Sequence, residues 1–583
     1  MFQRLILITI MAFATAFIAA KIVHVTSSTY ANIAVNSIEY KKKNAISCGP
    51  DWESLKVILE ETDIPLIPGA GSYTWKISTK NDSAQAYFNQ GINMYYSFHI
   101  IEAMASFKKA VKFDSVCAML YWAQALAYGP NINDMGYAAS PAALQATEKA
   151  SQFSASASAL EKALISAMRI RYTADSADTN RKLLNRKYTK EMKDVFEKFK
   201  ANADAQALYA DAMMLEHPWD LWFVNGKPKP WTPQIREVLE KLLSKTPDHP
   251  GANHYYIHVM EPSPYAYKAL PSADRLGKLT PGLSHTVHMP SHIYLRTGRY
   301  NDGVSVNEKA VNSYKKIIPL YEPVTGNDFL YIIHNLHMQT NNAMMAGLSQ
   351  YAVKSAIETV NSIPADYLSF PPPLGSVVQY IYMTPALVNI RFGKWDELLA
   401  AEQPENKLVY ANILYHFGRG MALAHQHKIV DAKNELQQMQ QLMKDSSLYI
   451  PFSPFSAAID GAIVAENLLA GSIAVAEKNY NAAIVAFVKA VSTEENMVYN
   501  EPRDWLLNPK HYLGNTYLLA GMPAEAEKIF EKDLLNNKEN GWALMGICQV
   551  LKVQKKNTAA TKMLIRFKKA FAKSDVKLQA AVF

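Results

Sequence analysis

Residues 254–294 read HYYIHVMEPSPYAYKALPSADRLGKLTPGLSHTVHMPSHIY and contain two pairs of histidines with the same spacing. His254 and His258 are four residues apart, as are His288 and His292, and 34 residues separate the two pairs. A 34-residue period is typical of a repeat made of two antiparallel helices that stacks on the next copy. Because packed helix axes lie roughly 8–10 Å apart, the sequence predicts that the two pairs meet in one place.

The same helical pattern extends along most of the chain. Small and aromatic residues recur at the spacing where two packed helices cross, as in Gly91 with Phe107 and Gly514 with Phe530. Small residues let the helices approach, and the rings fill the space beside the crossing. The sequence shows no alternating strand pattern of any length. It therefore predicts an all-α superhelical solenoid of helix hairpins over residues 81–583.

Five segments give a more specific resemblance, because they are rich in His, Asn, Asp and Trp, which helix packing alone does not require. The chain resembles the tetratricopeptide-repeat (TPR) superfamily, and in particular a group of exported bacterial members of unassigned role. The resemblance runs from Gln85 to Phe583 and implies stacked TPR hairpins with a concave, ligand-binding face. The segments are CAMLYWAQALAYGPNIN, HPWDLW, HPGANHYYIHVMEPS, HMPSHIYLRTGRY and EPRDWLLNP.

The histidines fall where this resemblance places residues of the concave groove. Independently, spacings of four and seven residues place His254, His258 and Glu261 on one helix face. A histidine-rich pocket is therefore expected around residues 216–341. By the TPR positions, three successive repeats would supply it with His254, His258 and Glu261, then His285, His288 and His292, then His334 and His337.

Imidazole together with carboxylate suits zinc, copper or iron, and two histidines four apart on a helix are a recurrent ligand pair. The predicted metal ligands are His254, His258, His288 and His292, with Glu261 as a further ligand or as the general base. Since the candidates outnumber the positions around one ion, either two metals bind or some side chains orient the ligands. Candidates for orienting the ligands or touching a substrate are His285, His334, His337, Glu216, Asn131 and Trp505.

Two features weaken this interpretation. Pro290 would break a continuous helix between His288 and His292, so helical spacing alone does not place His288. A single buried histidine is more often a hydrogen-bonded core residue than a ligand. Asn131 has an equally plain alternative, because asparagine after a helix end commonly caps a turn.

The N-terminus has the composition of an export signal. In residues 1–24, Arg4 precedes a 16-residue apolar run, and Ala14, Thr15 and Ala16 form a small-residue cleavage site. The run is shorter than the roughly 20 residues that cross a bilayer. We therefore expect a periplasmic or secreted protein, tethered to a membrane only if this segment is retained as an anchor. No later membrane span is expected, and residues 25–80 are interpreted as a leader that caps the solenoid.

Charge and cysteine content restrict the partners and the redox state. The net charge of +8 comes from scattered lysines, without a basic block interleaved with aromatics, so nucleic acid is not an expected partner. The three cysteines, Cys48, Cys117 and Cys548, form no CxxC motif. A Cys48–Cys117 disulfide and unpaired thiols both remain open in an exported chain.

Two functional hypotheses follow. In the first, a divalent-metal pocket in the concave face supports a hydrolase or oxidoreductase that acts on a small polar substrate, with Glu261 as the base. In the second, the groove is a scaffold that binds a peptide or protein without metal. A weaker third hypothesis is glycan binding by Trp219, Trp222, Trp231 and Trp505. The sequence contains no phosphate loop, nucleophile elbow or dinucleotide fingerprint.

Overall fold

The fold is helical throughout, and the predicted all-α solenoid of helix hairpins is confirmed. Within the described residues, β-type pairing is limited to two isolated bridges. Residues 1–24 and Cys48 lie outside the described part of the chain, and inside it Cys117 and Cys548 form no disulfide. The computed structural model describes residue 50 and residues 52–133, 139–322, 324, 329–452, 454–501 and 505–583.

In the first half of the solenoid, most successive helices pack against each other. Its helices are α1 (Trp52–Glu61), α2 (Asp82–Tyr96), α3 (Ile100–Phe113), α4 (Ala118–Ala127), α5 (Ser140–Gln152), α6 (Ala159–Ile170), α7 (Arg181–Lys198), α8 (Ala203–Glu216), α9 (Thr232–Lys245), α10 (Pro250–Met260), α11 (Leu270–Leu279), α12 (Ser284–His288) and α13 (Pro290–Thr297).

The second half continues the same stacking. A π-helical turn, Phe329–Ile333, leads directly into the helix that begins with His334. The helices are α14 (Tyr300–Tyr321), α15 (His334–Ala346), α16 (Ser349–Asn361), α17 (Leu374–Tyr382), α18 (Thr384–Arg391), α19 (Trp395–Ala400), α20 (Val409–His425), α21 (Ile429–Leu442), α22 (Ala458–Ala476), α23 (Tyr480–Asn496), α24 (Pro509–Leu519), α25 (Pro523–Asn536), α26 (Gly541–Val553) and α27 (Asn557–Ala570).

Glycine faces phenylalanine where the two helices of a hairpin cross. A Cβ atom on Gly91 would lie 2.4 Å from the ring of Phe107, and one on Gly514 would lie 2.5 Å from that of Phe530. Both phenylalanines are fully buried. A side chain at either glycine would therefore push the paired helices apart, which explains the small-plus-aromatic pattern in the sequence.

The described part of the leader covers the first hairpin. Side-chain amides of α2 hold its extended backbone: Gln85 Nε2 donates to the carbonyl of Trp75 at 2.9 Å, and Asn93 Nδ2 donates to that of Tyr73 at 2.8 Å. The indole of Trp75 is buried against α2 and α4. The backbone polar groups of this strand-like segment are thus satisfied by side chains of α2.

The C-terminal helices pack back onto the middle of the chain. Tyr300 Oη donates to the carbonyl of Lys538 at 2.7 Å, and Trp542 Nε1 donates to that of Met344 at 3.0 Å. Ser574 Oγ donates to the carbonyl of Gly347 at 2.9 Å. Repeats far apart in sequence therefore touch, whereas in an open solenoid each repeat contacts only its neighbours.

Helix α22 bears on the expectation that no segment after the N-terminal one has the character of a membrane span. Its 19 residues are long and apolar enough to cross a membrane by length and composition alone. More than half of its apolar window, 56%, is buried, and the helix packs against α20 and α23. This burial is typical of a helix in the core of a folded domain, so length and composition are weak evidence for a membrane span here.

Candidate metal centre

Six histidines converge in the interior in two sets of three. The 254 triad comprises His254, His258 and His285, and the 288 triad comprises His288, His292 and His334. Helix α10 supplies the first two, α12 and α13 supply the next three, and α15 begins with the last. Five of the six are completely buried, and only His334 retains 8% exposure. The predicted quartet of ligands is thus divided between two triads, and His285 and His334 join them.

Pro290 has the local effect that the sequence predicted. Helix α12 ends at His288, and Pro290 is the first residue of α13, where a missing N–H costs nothing. The break does not separate the two imidazoles, because His288 Nε2 lies 2.8 Å from His292 Nε2. The chain therefore turns between two short helices while both side chains face the same point.

In the 288 triad, the Nε2 atoms approach one another within ligand distance of one ion. His334 Nε2 lies 3.0 Å from His288 Nε2, and His288 Nδ1 lies 2.5 Å from Asn307 Oδ1. The Asn307 amide nitrogen donates to the Gly303 carbonyl, which leaves Oδ1 to accept from His288. The Nδ1 atom of His288 thus carries the hydrogen, and its Nε2 carries a lone pair. Nitrogens bound tetrahedrally to one zinc lie about 3.3 Å apart, close to these separations.

Glu501 completes the surroundings of the 288 triad. Its Oε2 lies 3.9 Å from His292 Nε2 and 4.0 Å from His334 Nε2, and its side chain is 9% exposed. Burial, reinforced by repulsion from Glu261, raises the pKa of the Glu501 carboxyl to about 7. The sequence analysis included this residue only in the segment EPRDWLLNP, of which residues 502–504 lie outside the described part.

The 254 triad has a similar arrangement of rings, with centroid distances of 4.8, 4.9 and 6.0 Å. His254 Nδ1 lies 2.6 Å from the carbonyl oxygen of Tyr96, and His258 Nδ1 lies 2.9 Å from Glu261 Oε1. Both oxygens only accept, so both Nδ1 atoms carry hydrogen. The Nε2 atoms of these two residues, and both ring nitrogens of His285, are buried without a hydrogen-bond partner among the described residues. The three potential ligand atoms lie within 4.8 Å of one another.

Phe98, which the sequence analysis missed, packs against all three rings of the 254 triad. Its ring centroid lies 4.4 Å from that of His254, 5.7 Å from that of His258 and 5.5 Å from that of His285. The residue occupies the turn between α2 and α3 with a φ of 55°, a left-handed conformation uncommon for a bulky side chain. The turn thereby places an apolar wall beside the imidazoles.

Glu261 connects the two triads. While Oε1 faces His258, Oε2 lies 3.0 Å from His292 Nδ1 and accepts a hydrogen bond from Tyr499 Oη at 2.7 Å. Burial raises the pKa of Glu261, but His292 and His258 lower it more, so the carboxyl ionises well below its usual range. Both oxygens are engaged by groups that orient ligands, which favours an orienting role over the predicted roles of ligand or general base.

The electrostatics separate the six imidazoles into two kinds. Burial alone would lower the pKa of His258, but hydrogen bonds to Glu261 and Glu501 have the larger effect and raise this pKa to about 9. The pKa of His292 is also raised, because Glu261 outweighs the effect of burial. A metal would therefore displace protons from these two rings. For the other four, burial lowers the pKa well below the ordinary value and keeps them neutral: His254, His285, His288 and His334.

Three other predicted residues lie apart from the triads. Glu216 is 3.3 Å from Arg186 Nε, as a partly exposed ion pair. Asn131 Oδ1 accepts from the backbone N–H of Asn133 at 2.8 Å, as a turn-capping asparagine does. Trp505 is buried, with its ring centroid 5.8 Å from that of Phe417.

Two cavities lie on either side of residues 497–501. The smaller, of about 80 Å³, is lined by His337 and by Glu501, the carboxylate that lies beside the 288 triad. The larger, of about 730 Å³, is lined by Trp219, Trp222 and Trp505. Among the described residues, no histidine of either triad lines the larger cavity. Tyr499 lines this cavity and donates a hydrogen bond to Glu261, the carboxylate between the triads.

Comparison with known proteins gives a likeness in architecture alone. No family model and no curated protein matches the chain. A structure of human IFIT1 as a dimer with m7Gppp-AAAA is 10% identical, covers 89% of this chain and 100% of that chain, and has a TM-score of 0.33. Yeast Tom70 is 13% identical and covers 84% and 98%, with a TM-score of 0.31. The P58(IPK) TPR domain is 12% identical and covers 81% and 99%, with a TM-score of 0.18. Such scores carry no argument about function.

Proposed function

We propose that this chain is a metal-dependent enzyme in which the 288 triad holds the principal transition-metal ion. The observation that carries the proposal is the approach of three buried Nε2 atoms, with 2.8 and 3.0 Å between His288 and the other two. Asn307 and Glu261 face the Nδ1 atoms of two of these rings, an arrangement that fixes the ring orientation of metal-binding histidines. Zinc, copper and iron all accept imidazole ligands.

The 254 triad supports a second ion. His254 and His258 each have Nδ1 fixed by an acceptor oxygen and an Nε2 that lacks a partner in the described chain. A buried polar atom without a partner is costly, and an ion between the three rings would satisfy it. The 254 triad is fully enclosed, so we assign it a supporting ion and not the reacting one.

The 288 triad is the better candidate for chemistry because its surroundings are not closed. Three nitrogen ligands leave a fourth position, which in catalytic zinc sites is taken by water or substrate. The partial exposure of His334 and Glu501 gives that position a route to solvent. Metal-assisted hydrolysis and oxidation both fit this arrangement, and export to the periplasm or beyond remains part of the proposal.

The alternative that an experiment must distinguish from the metal centre is a metal-free scaffold that binds a peptide. Four of the predicted groove residues, His254, His258, His288 and His292, are completely buried. An extended peptide in a surface groove therefore has no contact with them without rearrangement of the helices. This burial favours the metal over the peptide as the reason for the histidine cluster.

Metal content measured on the full chain decides the proposal. The purified chain, loaded with zinc, copper or iron and dialysed, is expected to retain two ions, and His334→Ala is expected to retain one. The matched control is His416→Ala, since His416 is a partly buried histidine paired with Glu435 outside both triads. Helix content by circular dichroism monitors folding. A folded chain that retains none of these metals, and binds an extended peptide instead, contradicts the proposal and supports the scaffold.

A further inference from the structure

The small cavity beside Glu501 shows what kind of molecule would reach the 288 triad. Its lining includes Glu501, whose Oε2 lies 3.9 Å from His292 Nε2 and 4.0 Å from His334 Nε2. His334 is the most exposed imidazole of the triad. A molecule in this cavity would therefore contact Glu501, the side chain that lies between the cavity and the proposed ion.

The size of the cavity limits the ligand to a small one. One bound water needs roughly 10–15 Å³ of such space. The cavity volume of about 80 Å³ therefore accommodates about five to eight atoms of this size. A single six-membered ring fills this space, whereas a peptide segment or an oligosaccharide would not enter it.

The walls of the cavity are chiefly apolar and aromatic. Tyr380 and Tyr410 stack with ring centroids 6.1 Å apart and an interplanar angle of 17°. The two rings occupy one face of each other by this stacking, and aromatic side chains also attract a flat ring along their edges. Other apolar lining residues include Pro373, Val377, Ile381, Ile450, Phe452 and Met497.

Two polar atoms of the lining, His337 Nε2 and Glu501 Oε1, lack a hydrogen-bond partner among the described residues. His337 lines the cavity and is 3% exposed, and its Nε2 has no hydrogen-bond partner in the part of the chain that the structure describes. Because a buried polar atom without a partner costs free energy, a ligand hydroxyl that bonds to it would be favoured. A ring without a hydroxyl group would leave His337 Nε2 without a hydrogen-bond partner, so its free-energy cost would remain.

We infer that this cavity is the substrate site of the 288 triad and takes a monocyclic aromatic molecule with one hydroxyl group, of the phenol class. The ring lies against Tyr380 and Tyr410, and the hydroxyl lies towards His337 and Glu501. This inference rests on the proposed metal function, and it narrows the small polar substrate expected from the sequence to an amphipathic aromatic one.

Binding of phenol to the full chain loaded with metal tests the ligand class. Titration calorimetry should show phenol binding at least about tenfold more tightly than benzene, which lacks the hydroxyl, or cyclohexanol, which lacks the flat ring. In His337→Leu, the preference for phenol over benzene should fall severalfold. Equal binding of all three ligands to the unaltered chain would overturn the assignment.

A second pair of variants tests the location. Val377→Trp fills the cavity and should abolish phenol binding, whereas Val430→Trp, on an exposed face of α21, should leave it unchanged. In the cobalt-loaded chain, phenol should shift the visible absorption of the metal, and Val377→Trp should remove that shift. An unchanged spectrum at saturating phenol overturns the link between cavity and triad.

Metal analysis of the same samples separates the two proposals. A chain that holds its ions but does not bind phenol contradicts this inference and leaves the proposed metal centre standing. A chain that holds no ion contradicts the proposed function, whether or not phenol binds. Retention of both ions in Val377→Trp is therefore a required result for the cavity assignment.

Discussion

The Glu261→Gln substitution examines the connection between the two triads. The carboxylate of Glu261 lies 2.9 Å from His258 Nδ1 and 3.0 Å from His292 Nδ1, and it accepts a hydrogen bond from Tyr499. Glutamine retains the shape of the side chain but has one acceptor oxygen and an NH₂ group. That oxygen can serve the imidazole of one triad, while the NH₂ group faces the N–H of the other.

The expected effect on metal affinity is substantial at both ions. Loss of a carboxylate that orients a ligand typically weakens metal binding by about 10–100-fold, which corresponds to about 1.4–2.7 kcal/mol. One triad loses the acceptor for its imidazole. The other keeps an acceptor but loses the negative charge, so its affinity also falls.

Competition with a chromophoric chelator measures the two affinities in one titration. The control is Asn307→Leu, because Asn307 contacts His288 of the 288 triad and orients no ring of the 254 triad. It should weaken one ion, whereas Glu261→Gln should weaken both. If Glu261→Gln leaves either ion at its original affinity in a folded chain, the assignment of Glu261 as a shared orienting residue is wrong.

Three further predictions concern stability and processing. Gly514→Ala should lower the free energy of unfolding by about 1–3 kcal/mol in urea titrations, because the new Cβ would meet the ring of Phe530; unchanged stability would contradict the packing role. Burial raises the pKa of Asp533 but His511 lowers it more, to about 2 against an ordinary 3.8. Ionised Asp533 therefore stabilises the fold fully above about pH 4, and on the order of 2 kcal/mol is lost as the pH falls towards 2; Asp533→Asn should remove this dependence in acid titrations. Mass spectrometry of the exported protein should show a chain that begins after Ala16, and an intact N-terminus would contradict cleavage.

The solenoid and the clustering of the histidines could be predicted because both depend on local spacing. The 34-residue offset between His254 and His288 and the pairing of Gly91 with Phe107 are periodic features of the chain. The effect of Pro290 was also local, since proline ends a helix through its own ring and missing N–H. Such features follow from backbone geometry that neighbouring residues set.

The composition of the triads could not be predicted in the same way. Glu501 and Tyr499 reach the centre from a segment more than 200 residues beyond Glu261 in sequence, and no spacing rule relates them. Phe98 gives no signal either, since an aromatic residue at a turn usually packs without a special role. The separation of His258 from His292 depends on the angle between α10 and α13, which tertiary packing sets.

The return of the C-terminal helices to the middle of the chain has a consequence for how this protein can be shortened. In an open solenoid, terminal repeats can be removed one at a time because each touches only its neighbour. Here removal of the last repeats would take away the contacts of Lys538 and Trp542 with Tyr300 and Met344. Those contacts lie on α14 and α15, the second of which begins with His334. We therefore expect truncation at the C-terminus to destabilise the helix that carries His334, some 200 residues earlier, and we expect these repeats to unfold together.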